Sequence, residues 1–221
     1  MQAKISEIFK SVQGEGIYQG IPQVFVRFFG CNLECAFCDT PLDSFKEMNI
    51  QEVSEQIYSY EDYHSITFTG GEPLLQVDFL TELTKELKIK GKELHLETNG
   101  TLHENLEKVI EYLDVIAMDF KLPSSTNSKA YWNEHGQFLR IARQRKVFIK
   151  AVIGKDTDIY DIHKSVILIK RFDPTLNLIL QPQNPFEREL EEKMCLFKQI
   201  CRNANINARI IPQAHKVLGV K

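Results

Sequence analysis

Short segments rich in β-branched and aromatic residues recur along the chain, and between them apolar residues return at helical spacing. The pattern predicts strands over Val24–Phe28, Ser65–Thr69, Leu94–Glu97, Val115–Phe120, Val147–Val152, Leu176–Leu180 and Ala208–Ile211. Helical period is clear in Asp78–Lys90, where Phe79, Leu83 and Leu87 fall one turn apart and Asp78 is placed to cap the first turn. It returns in Glu187–Ala204, whose Leu190, Met194, Phe197, Cys201 and Ala204 share one face. Strands that alternate with helices are expected to be parallel, because a parallel neighbour is reached only through a long crossover. About six such units are too few to close an eight-stranded barrel. The expected architecture is α/β: an incomplete parallel β/α barrel or open sheet, with residues 1–221 forming one domain. No repeat, low-complexity tract or Gly/Ser/Pro-rich linker divides it.

Composition narrows the function classes. Apolar side chains are 43% of 221 residues, enough for a substantial core. Yet apolar runs are short: Arg27 stops Val24–Val26 and Lys170 stops Val166–Ile169, whereas a membrane span needs roughly 20 apolar residues. Met1–Glu7 lacks the apolar stretch of a secretory signal, so the expected location is the cytoplasm. A formal charge of −3 makes no electrostatic case for gripping a nucleic-acid backbone.

In an open α/β sheet, functional groups gather at the C-terminal ends of the strands. Cys31 follows the first predicted strand and Gly70-Gly71-Glu72-Pro73 the second. Glu97-Thr98-Asn99-Gly100, Asp119-Phe120-Lys121 and Gln181-Pro182-Gln183-Asn184 end later ones. Five cysteines are an odd count, and Cys31, Cys35 and Cys38 fall within eight positions, which suggests a metal site and not a disulfide framework. Structural zinc and ordinary ferredoxin clusters both take four protein ligands. Three thiolates with no local fourth suit a four-iron, four-sulfur cluster with one iron left open; zinc completed by a distant His or Cys is the alternative. Cys195 and Cys201 lie in a helical pattern and are expected to be buried. His95 alternates with Leu94 and Leu96 and so points away from their face.

Cys31-x3-Cys35-x2-Cys38 with the downstream Gly-Gly-Glu-Pro resembles the radical S-adenosylmethionine superfamily. The resemblance implies that the cysteines hold three irons while the fourth chelates the amino and carboxylate groups of S-adenosylmethionine. Gly70–Pro73 would receive the methionine amino group, glycine letting the backbone come close. A longer stretch is similar to the 7-carboxy-7-deazaguanine synthase family: Phe9-Lys10-Ser11-Val12-Gln13-Gly14-Glu15-Gly16, then Gly20-Ile21-Pro22, then Val24 through Leu33, with Asp39-Thr40 after the last cysteine. So is the tail, Pro212-Gln213-Ala214-His215-Lys216-Val217-Leu218-Gly219. Membership implies a lyase that contracts the ring of 6-carboxy-5,6,7,8-tetrahydropterin to 7-carboxy-7-deazaguanine with loss of ammonia. A 5′-deoxyadenosyl radical would take hydrogen from C6 and return it, with Mg2+ assisting.

The same resemblance implies residue roles. Val12, Gln13 and Gly14 would meet the pterin edge, Thr69 would touch the substrate, and the Arg27 fork would take its carboxylate. Thr40 would bind Mg2+, while Phe37, Cys38, Asp39 and Gly71 would lie against S-adenosylmethionine. Asp119, Phe120, Lys121, Gln181, Pro182, Gln183 and Asn184 would hold its nucleoside. Part of the family carries Ser-Pro-Lys where this chain has Asp119-Phe120-Lys121, so only Lys121 keeps its place. Asn99 would reach the nucleoside too, although an Asn-Gly turn explains that segment equally well. The N-terminal segment would bind substrate, and the tail would close the site through the carboxylate of Lys221. Implied partners are the small pterin, a reducing protein such as a flavodoxin, and a second copy in a homodimer. Two other readings stay open: an activase for a glycyl-radical enzyme, and a non-catalytic module carrying zinc or an electron-transfer cluster.

Overall fold

The computed structural model describes residues 1–40, 43–184, 186 and 188–214. The strands are β1 (Gln2–Val12), β2 (Pro22–Phe28), β3 (Lys46–Asn49), β4 (Ser65–Gly70), β5 (Glu93–Thr98), β6 (Val115–Asp119), β7 (Lys146–Ile153), β8 (Leu178–Pro182) and β9 (Ala208–Ile210). The helices are α1 (Ile50–Tyr58), α2 (Val77–Lys88), α3 (His103–Val109), α4 (Pro123–Thr126), α5 (Trp132–Ala142), α6 (Ile159–Phe172) and α7 (Arg188–Asn203). Among the described residues, these nine strands form one sheet in the order β3-β1-β2-β4-β5-β6-β7-β8-β9. From β2 through β9 every pairing is parallel, and β1 adds antiparallel pairings to β2 and β3 at one edge. The sheet is open, an incomplete barrel.

Each parallel strand alternates between two faces. Val24, Val26 and Phe28 of β2, Leu94 and Leu96 of β5, and Ile116 and Met118 of β6 lie fully buried in the main core with the helices. Their neighbours face the other way. There Val115, Ala117, Phe148 and Ile179 form a second, smaller apolar cluster capped by Ile17, Tyr18 and Ile211. His95 lies on this inner face, as its alternation predicts: Gln23 donates to its Nδ1 at 3.1 Å, and its Nε2 meets Glu93 at 2.9 Å.

Some boundaries differ from expectation for local reasons. A 3-10 turn over Pro73–Gln76 runs straight into α2, so Asp78 is not its cap but a first-turn residue paired with Lys108 at 3.3 Å. Phe120 leaves the sheet to pack between Trp132 and His135. Strand β8 starts at Leu178, after a turn closed by Leu176 on Asp173. Cys201 is buried but Cys195 is exposed, because only Cys201 shares the apolar stripe of α7. Among the described residues, no helix is long and apolar enough to cross a membrane.

Candidate active site

The inner face ends in polar side chains at the C-terminal edge of the parallel strands. Thr69 of β4, Glu97 of β5, Asp119 of β6, Lys150 and Val152 of β7, and Gln181 of β8 all line one cavity. The loop after β2 supplies Cys31, Leu33, Cys35, Phe37, Cys38, Asp39 and Thr40 to the same cavity, and the chain ends supply Glu15 and Gln213.

Glycine seats the cysteine loop. A Cβ on Gly70, whose φ is +134°, would stand 2.2 Å from the carbonyl oxygen of Phe28. One on Gly71 would stand 2.1 Å from the Gly30 oxygen and 2.9 Å from the Cys31 Cβ. The two strand exits can therefore touch only if both residues lack side chains. Glu72 then turns inward and is fully buried, accepting from the Leu74 and Asn99 amides at 3.1 and 2.8 Å and from the Thr98 hydroxyl at 2.9 Å. Asn99 in turn donates to Asn32 at 2.8 Å, tying the β5 exit to the cysteine loop. Burial pushes the Glu72 carboxyl up to about 7, against those hydrogen bonds. A folded pKa raised from 4.5 favours folding fully below pH 4.5, and that contribution is lost as pH rises through 7. About 3 kcal/mol of stability is expected to disappear across that window. Urea unfolding of wild type and Glu72→Gln at pH 5 and pH 8 checks this: the variant should lack that part of the slope.

A chain of charges crosses the cavity. Lys150, 5% exposed, contacts Glu15 at 2.5 Å and Asp119 at 3.4 Å, and Asp119 holds Lys121 at 2.8 Å. Glu15 also accepts from Gln213 at 2.7 Å and Gln181 at 3.1 Å, so one carboxylate joins the N-terminal loop, β7, β8 and the C-terminal segment. Burial would raise both carboxyls; the lysine charges and hydrogen bonds outweigh it and hold Glu15 and Asp119 below their usual values. Burial likewise raises the Cys31 and Cys35 thiols, with the Lys121 ammonium opposing it at Cys35.

Among the described residues, no three His, Cys, Asp or Glu side chains converge on one ion-binding point. The loop offers instead three separate thiols on one cavity wall, with no histidine or fourth cysteine among the described lining residues. That donor set fits a cluster whose irons each take one thiolate, with one corner left for a ligand.

The Radical SAM superfamily model matches residues 25–169. A 7-carboxy-7-deazaguanine synthase of Geobacter sulfurreducens is 35% identical, covering 98% of this chain and 97% of its own length. The namesake protein of Archaeoglobus fulgidus is also 35% identical, over the whole of both chains. This chain belongs to the 7-carboxy-7-deazaguanine synthase family. In fold it is similar to QueE from Escherichia coli, with a TM-score of 0.69 at 22% identity over 97% of this chain and 95% of that one. A domain of a pyruvate-formate lyase-activating enzyme from Bacteroides vulgatus shares the fold over 66% of this chain, with a TM-score of 0.54.

Seen as a family member, the chain brings most of the expected site residues together. Cys31, Cys35, Phe37, Cys38, Asp39, Thr40, Thr69, Gly71, Asp119, Lys121 and Gln181 all line the cavity. Others lie elsewhere. The Gln13 amide is buried, donating to Glu97 at 2.8 Å and Gln23 at 3.0 Å and accepting from the Glu15 amide at 3.1 Å. Val12 and Gly14 flank it outside the cavity lining. Arg27 shares the inner face with Thr69, its partner in register, but its guanidinium lies over Phe9 and contacts Glu7 at 3.1 Å. Phe120 is core, Pro182 is buried, and Gln183 and Asn184 are exposed beyond the cavity. Lys221 lies outside the described residues. Sequence reasoning placed Glu97 at a strand exit and Glu15 and Gln213 in family-like segments without giving any of them a contact of its own, and it passed over Lys150. The signal for Lys150 was a lone charge at an inward position of an apolar strand, the same signal that picked out Arg27.

Proposed function

We propose that the chain converts 6-carboxy-5,6,7,8-tetrahydropterin to 7-carboxy-7-deazaguanine with loss of ammonia, as a radical S-adenosylmethionine lyase of 7-deazapurine biosynthesis. The observation that carries this reading is one cavity that joins a three-cysteine loop to an arc of polar strand ends. Cys31, Cys35 and Cys38 would hold the cluster, with Gly71 and Lys121 beside bound S-adenosylmethionine. When bound, the reduced cluster and S-adenosylmethionine supply the 5′-deoxyadenosyl radical that takes hydrogen from the substrate. The protein's own part is placement. Glu97, held by Thr69 at 2.7 Å and by Gln13 at 2.8 Å, presents a fixed carboxylate to a nitrogen-rich ring edge. Thr40 offers a hard oxygen to Mg2+, which keeps its remaining sites for water and substrate. Arg27 reaches the substrate carboxylate by exchanging it for Glu7. A flavodoxin-type donor, a homodimer and a cytoplasmic setting complete the proposal.

Anaerobic incubation with the carboxytetrahydropterin, S-adenosylmethionine, Mg2+ and a reductant should yield 7-carboxy-7-deazaguanine by mass spectrometry. No product from protein with an intact cluster overturns the reading and favours the activase alternative. Arg27→Ala should weaken pterin binding about tenfold, the worth of one charged hydrogen bond, while S-adenosylmethionine binding holds. Equal loss of both would give Arg27 a purely structural part.

A further inference from the structure

His135 of α5 stands behind the cavity, fully buried, and lines none of it. Its ring is stacked on Phe120 at 5.2 Å and meets Trp132 edge-on at 6.2 Å. Both ring nitrogens are engaged at 3.0 Å, Nδ1 with the Gly100 carbonyl and Nε2 with the Lys121 amide. A carbonyl can only accept and an amide N–H can only donate, so one assignment satisfies both: Nδ1 carries the proton and Nε2 the lone pair. The imidazolium and the other tautomer would each set N–H against N–H at Lys121.

The two groups so bridged belong to different strand exits. Gly100 follows Asn99, which is tied to Asn32 of the cysteine loop, and Lys121 extends its ammonium over Phe37 of that loop, 5.7 Å from the ring centroid. We infer that His135, as its neutral Nδ1–H tautomer, is a positioning residue that sets the gap between the Gly100 and Lys121 turns and so the seat of S-adenosylmethionine. This rests on the lyase reading above. Among the described residues nothing else donates to the ring, and the charged groups facing it are Asp119, the last residue of β6, and Lys121 just after it. Removal of the ring nitrogens would leave the Lys121 amide without its acceptor and free Lys121 to drift from Phe37.

The test uses anaerobic, cluster-loaded protein and S-adenosylmethionine itself as the probe. His135→Phe keeps the stacking but removes both bonds and should weaken S-adenosylmethionine binding about tenfold, with iron content unchanged. His135→Gln restores an acceptor toward Lys121 and should recover most of the affinity, whereas His135→Asn, which can reach only Gly100, should not. Long-range nitrogen NMR of the apoprotein at pH 7 should show the Nδ1–H tautomer at this one ring. Wild-type affinity in His135→Phe, equal behaviour of Gln and Asn, or an Nε2–H ring would each overturn the inference. If wild type itself ignores S-adenosylmethionine, the lyase reading fails, and the NMR tautomer still decides the assignment at His135.

Discussion

Replacing Lys150 with methionine is expected to cost about 3–5 kcal/mol of folding stability at pH 7. The ammonium is buried on an otherwise apolar stretch of β7 and stands between Glu15 and Asp119, contacting them at 2.5 and 3.4 Å. Its loss leaves two carboxylates without their shared cation, and desolvation, now opposed mainly by Lys121 and the two glutamine amides, raises their pKa values. The sign of the pH dependence follows. In wild type both folded pKa values sit below 4.5 and 3.8, so their stabilisation is complete above that range and lost as pH falls through the folded values. In Lys150→Met the carboxyls can instead escape their penalty by protonation, so the gap between wild type and variant should narrow as pH falls from 7 toward 5. Urea unfolding at both values measures this. A gap under about 1 kcal/mol, or one that ignores pH, would show that Lys150 behaves as a solvated surface charge.

Gly71→Ala is expected to abolish iron loading without unfolding the protein. The added methyl would occupy space 2.1 Å from the Gly30 carbonyl and 2.9 Å from the Cys31 Cβ, both rigid neighbours, so the β2 and β4 exits must separate. Cys31 then moves relative to Cys35 and Cys38, and a cluster tolerates little misplacement of its thiolates. Iron content and visible absorbance after anaerobic reconstitution are the measurements. Cys35→Ser should match the glycine variant, whereas Cys201→Ser, buried in the core stripe of α7, should load like wild type. Iron lost only from Cys201→Ser would mean that the ligand set is wrong. Normal loading of Gly71→Ala would mean that the loop is anchored elsewhere, through Asn99 and Asn32.

The periodicity of the chain determined the parallel strands, since each carries enough β-branched and aromatic residues to be read alone. It did not reveal β1. There a bulge between Ile5 and Glu7 breaks the alternation, so buried Ile5 and Ile8 sit three apart, a helical spacing in a strand. The cysteine spacing and Gly70-Gly71 were legible because their chemistry is local to one loop and one turn. Only the tertiary structure decided which polar residues share the cavity. Gln13 and Glu97 are 84 positions apart and Glu15 and Lys150 are 135, yet each pair is in hydrogen-bond contact. Such pairings follow from strand order and register, which no local pattern encodes. Arg27 and Lys150 carry the same sequence signal, a cation in an apolar strand. One lies on Glu7 at the β1 edge and the other in the middle of the site, because what a side chain meets is set by the strand beside it.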